Sequence, residues 1–234
     1  MSILKKLILG LVLFSALTTT AQTADEIIAK NIEAMGGSAK LATLTSVKMS
    51  GSMSVQGTDV AMVITKLQAK GVRMDMEIMG TSNYQLANNE KGFAFMPIMG
   101  MAEPKEMDAD QLNSMKTQSD VQGPFFNYKE KGTKLEYVGT EKINGADAYH
   151  LKITYASGKI SNCFIDTKSN KILKTTTKTK GPDGNEMEIE TAYSDYKQNA
   201  DGFWFPYTNT TPQGTIVFDK IETNVKIDEN IFKN

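Results

Sequence analysis

The chain has 234 residues, 40% of them hydrophobic and 8% aromatic, with 26 basic and 27 acidic side chains and a formal net charge of −1. That balance excludes a strong general attraction to nucleic acid. Its single cysteine excludes an intramolecular disulfide, and one cysteine beside one histidine is too little for an ordinary zinc site.

At the start, Lys5 and Lys6 precede an apolar run over 7–17 and a small polar exit ending in Thr19-Thr20-Ala21. This is the order of a cleavable secretory signal, with a core too short for a permanent membrane span. The expectation is cleavage near Ala21 and a periplasmic protein that is not a lipoprotein, because no cysteine stands at the junction to carry a lipid. Without 1–21 the balance is 24 basic against 27 acidic side chains, or −3. The remaining 22–234 is expected to form a single domain.

Thr23 and Glu26 have the spacing of a capping box. Ile27, Ile28, Ile32 and Met35 then recur at helical spacing until Gly36-Gly37, and Ser38 is placed to cap a second short turn with Leu41 and Leu44 on its apolar side. From Ser46 the period becomes two. Val47, Met49, Met53 and Val55 are followed by Val60, Met62 and Ile64, and then by Val72, Met74, Met76 and Ile78 alternating with Arg73, Asp75 and Glu77. Shorter runs at 84–86 and 93–96 continue this meander. Between 97 and 128, Pro104, the polar run 108–120 and Gly123-Pro124 interrupt any sheet. Asp108 or Asp110 can cap a helix carrying Leu112 and Met115 on one face, so 98–127 reads as a lid-like insertion.

Strand patterns resume over 134–140, 146–155, 160–166, 171–179, 186–193, 203–207 and 215–224. Asn144-Gly145, Ser157-Gly158, Ser169-Asn170 and Pro182-Asp183-Gly184 supply the turns. About ten strands in sequential hairpins predict a mainly β fold: an open, strongly curved antiparallel sheet, an incomplete β-barrel, with an N-terminal helix and a short helical lid on its concave face. No helical patterns separate the strands, which argues against a parallel βαβ topology.

The chemistry inventory is sparse. His150 lies inside a strand pattern with no nucleophile elbow elsewhere and reads as a solvent-facing strand histidine. Cys163 reads as a small buried apolar residue. The carboxylates Asp75 and Glu77, and Glu186, Glu188 and Glu190, alternate along strands as solvated faces require. No catalytic residue, metal or cofactor is predicted.

Two features stand above this background. Eight of the 14 methionines fall between Met74 and Met115: Met74, Met76, Met79, Met96, Met99, Met101, Met107 and Met115. Flexible thioethers re-pack around varied apolar ligands and suit acyl chains, although an ordinary Met-rich core has the same composition. The second feature is a lysine-rich hairpin with Lys168 and Lys171, in which Lys174, Lys178 and Lys180 share parity. It reads either as a contact for an anionic membrane or an acidic envelope protein, or as a solvated edge protected against aggregation.

The order of elements resembles the LolA/LolB lipoprotein-carrier superfamily, particularly its outer-membrane lipoprotein-sorting-like members from Bacteroidota. The resemblance rests on a first helix ending in Met35-Gly36-Gly37, on Leu41, Leu44, Ser46, Met49 and Gly51 leading into the first strand, and on Tyr193-Ser194-Asp195-Tyr196 followed by Gly202-Phe203-Trp204-Phe205-Pro206. It implies a half-barrel whose concave apolar face, covered by helices, receives acyl chains of lipoproteins or lipids without chemistry, in a monomer. The expected lining is Met49, Met53, Met62, Met74, Met76, Phe93, Phe95, Leu151, Ile153 and Trp204. A departure is that the one arginine is Arg73, so no arginine stands on the first strand to anchor a lid. The competing expectation is an envelope structural or protein-interaction module with a filled core.

Overall fold

The computed structural model describes residues 23–55, 57–180 and 186–234. The expected signal over 1–21, the Pro182-Asp183-Gly184 turn and the side chain of Lys180 lie outside the described residues.

The capping box forms as the spacing requires: the Glu26 amide donates to the Thr23 hydroxyl, and the Thr23 amide donates to the Glu26 carboxylate. It opens α1 (Ala24–Ala34), which buries Ile27 and Ile28. The helix ends as the Gly37 amide bonds the Ile32 carbonyl, with Gly36 and Gly37 at φ +116° and +85°. Gly37 itself takes the cap position of α2 (Ser38–Ala42), and no side chain caps it. The expectation that Ser38 caps this turn is corrected, because the positive φ of Gly37 turns the chain one residue earlier and leaves Ser38 already helical.

Thirteen strands follow among the described residues: β1 (Ser46–Val55), β2 (Thr58–Leu67), β3 (Gly71–Ile78), β4 (Thr81–Asn88), β5 (Gly92–Phe95), β6 (Lys105–Glu106), β7 (Lys134–Ile143), β8 (Ala146–Thr154), β9 (Ile160–Asp166), β10 (Ile172–Lys180), β11 (Glu186–Gln198), β12 (Trp204–Thr211) and β13 (Gly214–Thr223). They form one antiparallel sheet in the order β6-β5-β4-β3-β2-β1-β13-β12-β11-β10-β9-β8-β7. The sheet is open and curved, as expected. It exceeds the expected ten strands partly because Lys105 and Glu106, inside the segment read as free of sheet, pair with Ala94 and Phe93.

Two meanders therefore meet where β1 pairs with β13. The joint is reinforced at its end: the Thr45 amide donates to Asn224 Oδ1 at 2.8 Å, and the Ser46 hydroxyl donates to the Val225 carbonyl at 2.7 Å. The last residues fold onto the outer face of β3 and β4. There Phe232 is buried against Gly71, and Arg73 donates to the Ile231 carbonyl while its guanidinium pairs with Asp75.

The insertion carries the helix α3 (Ala109–Gln118), capped by Asp108 in a second capping box with Gln111. It lays Met115 and Leu112 on the sheet. These are the two residues the helical spacing selects.

At the β1–β13 joint, Gly51 admits no side chain. The register shifts between Ser50 and Gly51, and a Cβ at Gly51 would stand 2.1 Å from the Val217 carbonyl oxygen and 2.7 Å from the Phe218 Cα. Gly51→Ala is expected to cost about 1–3 kcal/mol through forced backbone movement, lowering Tm by several degrees in thermal unfolding. An unchanged Tm would mean that the joint tolerates the displacement.

Candidate binding site on the inner sheet face

Side chains that pair directly across antiparallel strands share a face. One row runs Tyr137, Leu151, Cys163, Thr175, Thr191 across β7 to β11. Two residues along β11, another row runs Tyr193, Asn209, Ile216, Met53, Val60 across β11 to β2. Both rows lie on the face that the helices cover, so the sheet has one continuous inner face.

That face carries two apolar clusters. One holds Met49, Met62 and Met76, all buried, with Met53 and Met74 packed beside them, Val60, Ile64, Val72, Phe218 and Ile221 completing the group and Met115 and Leu112 of α3 packing against it. Under α1 lie Leu151 and Ile153 with Cys163, Ile165, Ile27, Ile28 and Phe125. Of the expected lining residues, five methionines thus gather in one cluster and Leu151 and Ile153 in the other. Phe93 and Phe95 join neither. They pair with Leu86 and Tyr84, which pair with Arg73 and Asp75, and so stand on the outer face, where the Phe95 ring lies 5.6 Å from that of Tyr84.

The clusters meet at an apolar cavity of about 150 Å³. Its walls are Ile32 and Met35 at the end of α1, Leu41 and Leu44 around α2, residues 121–126, and Phe203, Trp204 and Phe205 at the start of β12. Trp204 was expected there; the others were not. Their signals were present as the apolar face of the first helix, the Phe125-Phe126 pair and the motif around Trp204, but nothing in the spacing says that these three segments converge.

Between the clusters, the inner face of β10 to β12 is polar. The Thr175 hydroxyl lies 3.2 Å from the Tyr193 hydroxyl, Ser161 bonds Thr177 at 2.7 Å, and the Tyr196 hydroxyl donates to the Ile172 carbonyl. Burial pushes the Tyr155 hydroxyl up to about 12 and raises those of Tyr193 and Tyr196 and the Cys163 thiol. These groups are neutral at physiological pH, which suits packing and hydrogen bonding better than proton transfer.

Polar contacts fasten the insertion across this face. From the β8–β9 turn, the Lys159 ammonium donates to the Ser114 hydroxyl of α3 at 2.7 Å; desolvation lowers its pKa, partly offset by the Asp110 charge. Beyond α3, Asp120 accepts from Lys131 at 2.7 Å and from the Gln68 side-chain amide at 3.3 Å, while the Val121 amide returns a bond to Gln68 Oε1. Lys66, lowered by desolvation, has the Asp120 charge opposing that shift. One helix is thus tied to both halves of the curved sheet.

The outer face differs. His150, expected to face solvent, is only 14% exposed. Its Nδ1 lies 2.7 Å from Glu141 and its Nε2 3.0 Å from Asn162, and its ring stacks on Phe164 at 4.6 Å. The neighbouring strands supply side chains large enough to cover it. Lys174 pairs with Glu190 at 2.9 Å and Lys178 with Glu186 at 3.8 Å, so the lysine hairpin is countered by the acidic stripe of β11. Among the described residues no helix is long and apolar enough to cross a membrane.

Neither a family model nor a curated protein matches the sequence. Solved structures do. A LolA superfamily protein from Nitrosomonas europaea superposes with a TM-score of 0.57 at 12% identity, covering 92% of this chain and 99% of that one. A domain from Vibrio parahaemolyticus named for outer membrane lipoprotein sorting gives 0.53 at 16% identity over 89% and 95%. A DUF1329 family protein from Desulfovibrio piger gives 0.55 at 12% identity over 88% and 95%. At these identities the likeness is one of fold: the chain has a LolA-like fold.

Proposed function

We propose that this chain is a periplasmic carrier or binding protein for lipoproteins or lipids, sequestering acyl chains between the inner sheet face and the α3 insertion without chemistry. The observation that carries this reading is the pair of apolar clusters meeting at a cavity walled by α1, α2, the start of β12 and residues 121–126 of the insertion. The fold it shares with a LolA superfamily protein and with a domain named for outer membrane lipoprotein sorting supports it further. The lining residues in this reading are Met49, Met53, Met62, Met74, Met76, Leu151, Ile153 and Trp204.

The magnitudes require the insertion to move. A cavity of about 150 Å³ is below the range of roughly 300–1,000 Å³ typical of ligand sites. A dozen buried methylenes contribute about 10 kcal/mol of gross transfer free energy. That gross term is set against the contacts of α3 with β3, β4 and β5 that the chain would replace. Methionines then re-pack against the chain in place of Met115 and Leu112. The small cavity also favours a second reading, an envelope module whose interior stays filled.

Uptake of a fluorescent acyl probe by the delipidated protein, together with mass spectrometry of co-purified lipid, separates the two. The carrier takes up the probe, and Met53→Gln or Met74→Gln, each placing an amide in the apolar wall, weakens binding about tenfold with circular dichroism unchanged. No uptake and no co-purified lipid would leave the filled module.

The fastening makes its own prediction. Asp120→Ala removes the acceptor shared by Lys131 and Gln68, and is expected to lower stability by about 1–3 kcal/mol while accelerating probe uptake several-fold in stopped-flow measurements. A fall in stability with unchanged uptake would show that this segment is not the gate.

A further inference from the structure

The polar strip on the inner face contains one group that the fold leaves unused. Asn209 Oδ1 is closed to solvent and accepts no hydrogen bond, the one such side-chain atom among the described residues. Leaving a buried acceptor unsatisfied costs roughly 1–3 kcal/mol, so a protein that keeps one gives up stability. The register places Asn209 on the inner face between Tyr193 and Ile216, with Met53 the next partner beyond Ile216. Ile216 and Met53 pack against the methionine cluster. On the other side stand the hydroxyls of Tyr193, Thr175 and Thr177, which can donate as well as accept. The orphan acceptor therefore sits where an apolar wall gives way to uncharged donors.

We propose, resting on the carrier reading above, that the bound acyl chain is joined to its head through an amide, and that Asn209 is the residue that selects it. The amide N–H donates to Asn209 Oδ1, and its carbonyl accepts from a hydroxyl of the strip. The chain beyond lies along Ile216 and Met53. An ester of the same length has no N–H and leaves the acceptor orphaned. A cationic donor is disfavoured, because the residues paired directly with Asn209 carry no charge to compensate it.

The test uses the purified, delipidated chain and two hexadecanoyl probes with the same fluorescent head, one linked by an amide and one by an ester. The wild type is expected to bind the amide about tenfold more tightly, the equivalent of one hydrogen bond at 1.4 kcal/mol per decade. Asn209→Leu is expected to bring the amide down to the affinity of the ester, leave the ester unchanged, and raise the Tm of the empty protein. A residue kept for packing alone would not raise it. If that variant fails to fold, Asn209→Ser, with its shorter acceptor, serves instead and shrinks the preference. Equal wild-type affinities, or a preference surviving both substitutions, would overturn the inference while leaving the carrier reading intact. Binding of neither probe would overturn both. Presenting the amide on a short peptide and on an amino alcohol then distinguishes an acylated protein terminus from an amide lipid.

Discussion

A single open sheet has two faces and no partner sheet, so one apolar face must be covered by whatever helices and connections the chain can supply. That constraint organises the molecule. Pairing the first strand with the last joins two meanders into thirteen strands and gives the inner face its breadth. α1 covers one half, α3 the other, and residues 121–126 close the gap between them. Because these covers come from separate segments, they meet imperfectly, and the cavity lies at their junction.

The covers are attached in different ways. α1 is seated by fully buried isoleucines and tethered by Asp25, whose carboxylate bonds Tyr128 and pairs with Lys129; the Tyr128 bond, then that to Lys129, holds its pKa down. α3 contributes one buried methionine and is also held by polar contacts at Ser114, midway along it, and at Asp120, just beyond its C-terminus. Such contacts are worth roughly 0.5–1.5 kcal/mol each and exchange readily for water, whereas apolar burial does not. The two covers thus differ in the mix of polar and apolar contacts that seats them.

The faces also divide the chemistry. Outside, lysines face glutamates along neighbouring strands and His150 is held between Glu141 and Asn162. Such pairs in water contribute little to stability but keep the broad surface soluble. Inside, apart from the lysines that face Asp110 and Asp120, the polar groups are neutral hydroxyls and amides. The interior is thus a set of methionines flanking a neutral polar strip that holds one unsatisfied acceptor, Asn209 Oδ1.

Local features were legible because local physics determines them. The capping box of α1, a cap at Asp108 or Asp110, the glycine stop after α1, the strand alternation and the face of α3 carrying Leu112 and Met115 all depend on neighbours within a few residues; that Asp108 is the cap, in a box with Gln111, came from the structure. Parity likewise put Met49, Met53, Met62, Met74 and Met76 together. What parity leaves open is which face is inner: Phe93 and Phe95 alternate as regularly as the methionines, yet the register of β4 with β5 turns them outward against Tyr84 and Leu86. His150 looked exposed because its cover comes from other strands. The cavity wall brings Ile32 beside Phe205, Asp120 reaches Gln68, and the row through Asn209 runs on to Met53; this geometry exists only once the strands have fixed their register. The sequence by itself determined the elements and the composition of each face; the tertiary structure decided which face became an interior and which polar atom was left there without a partner.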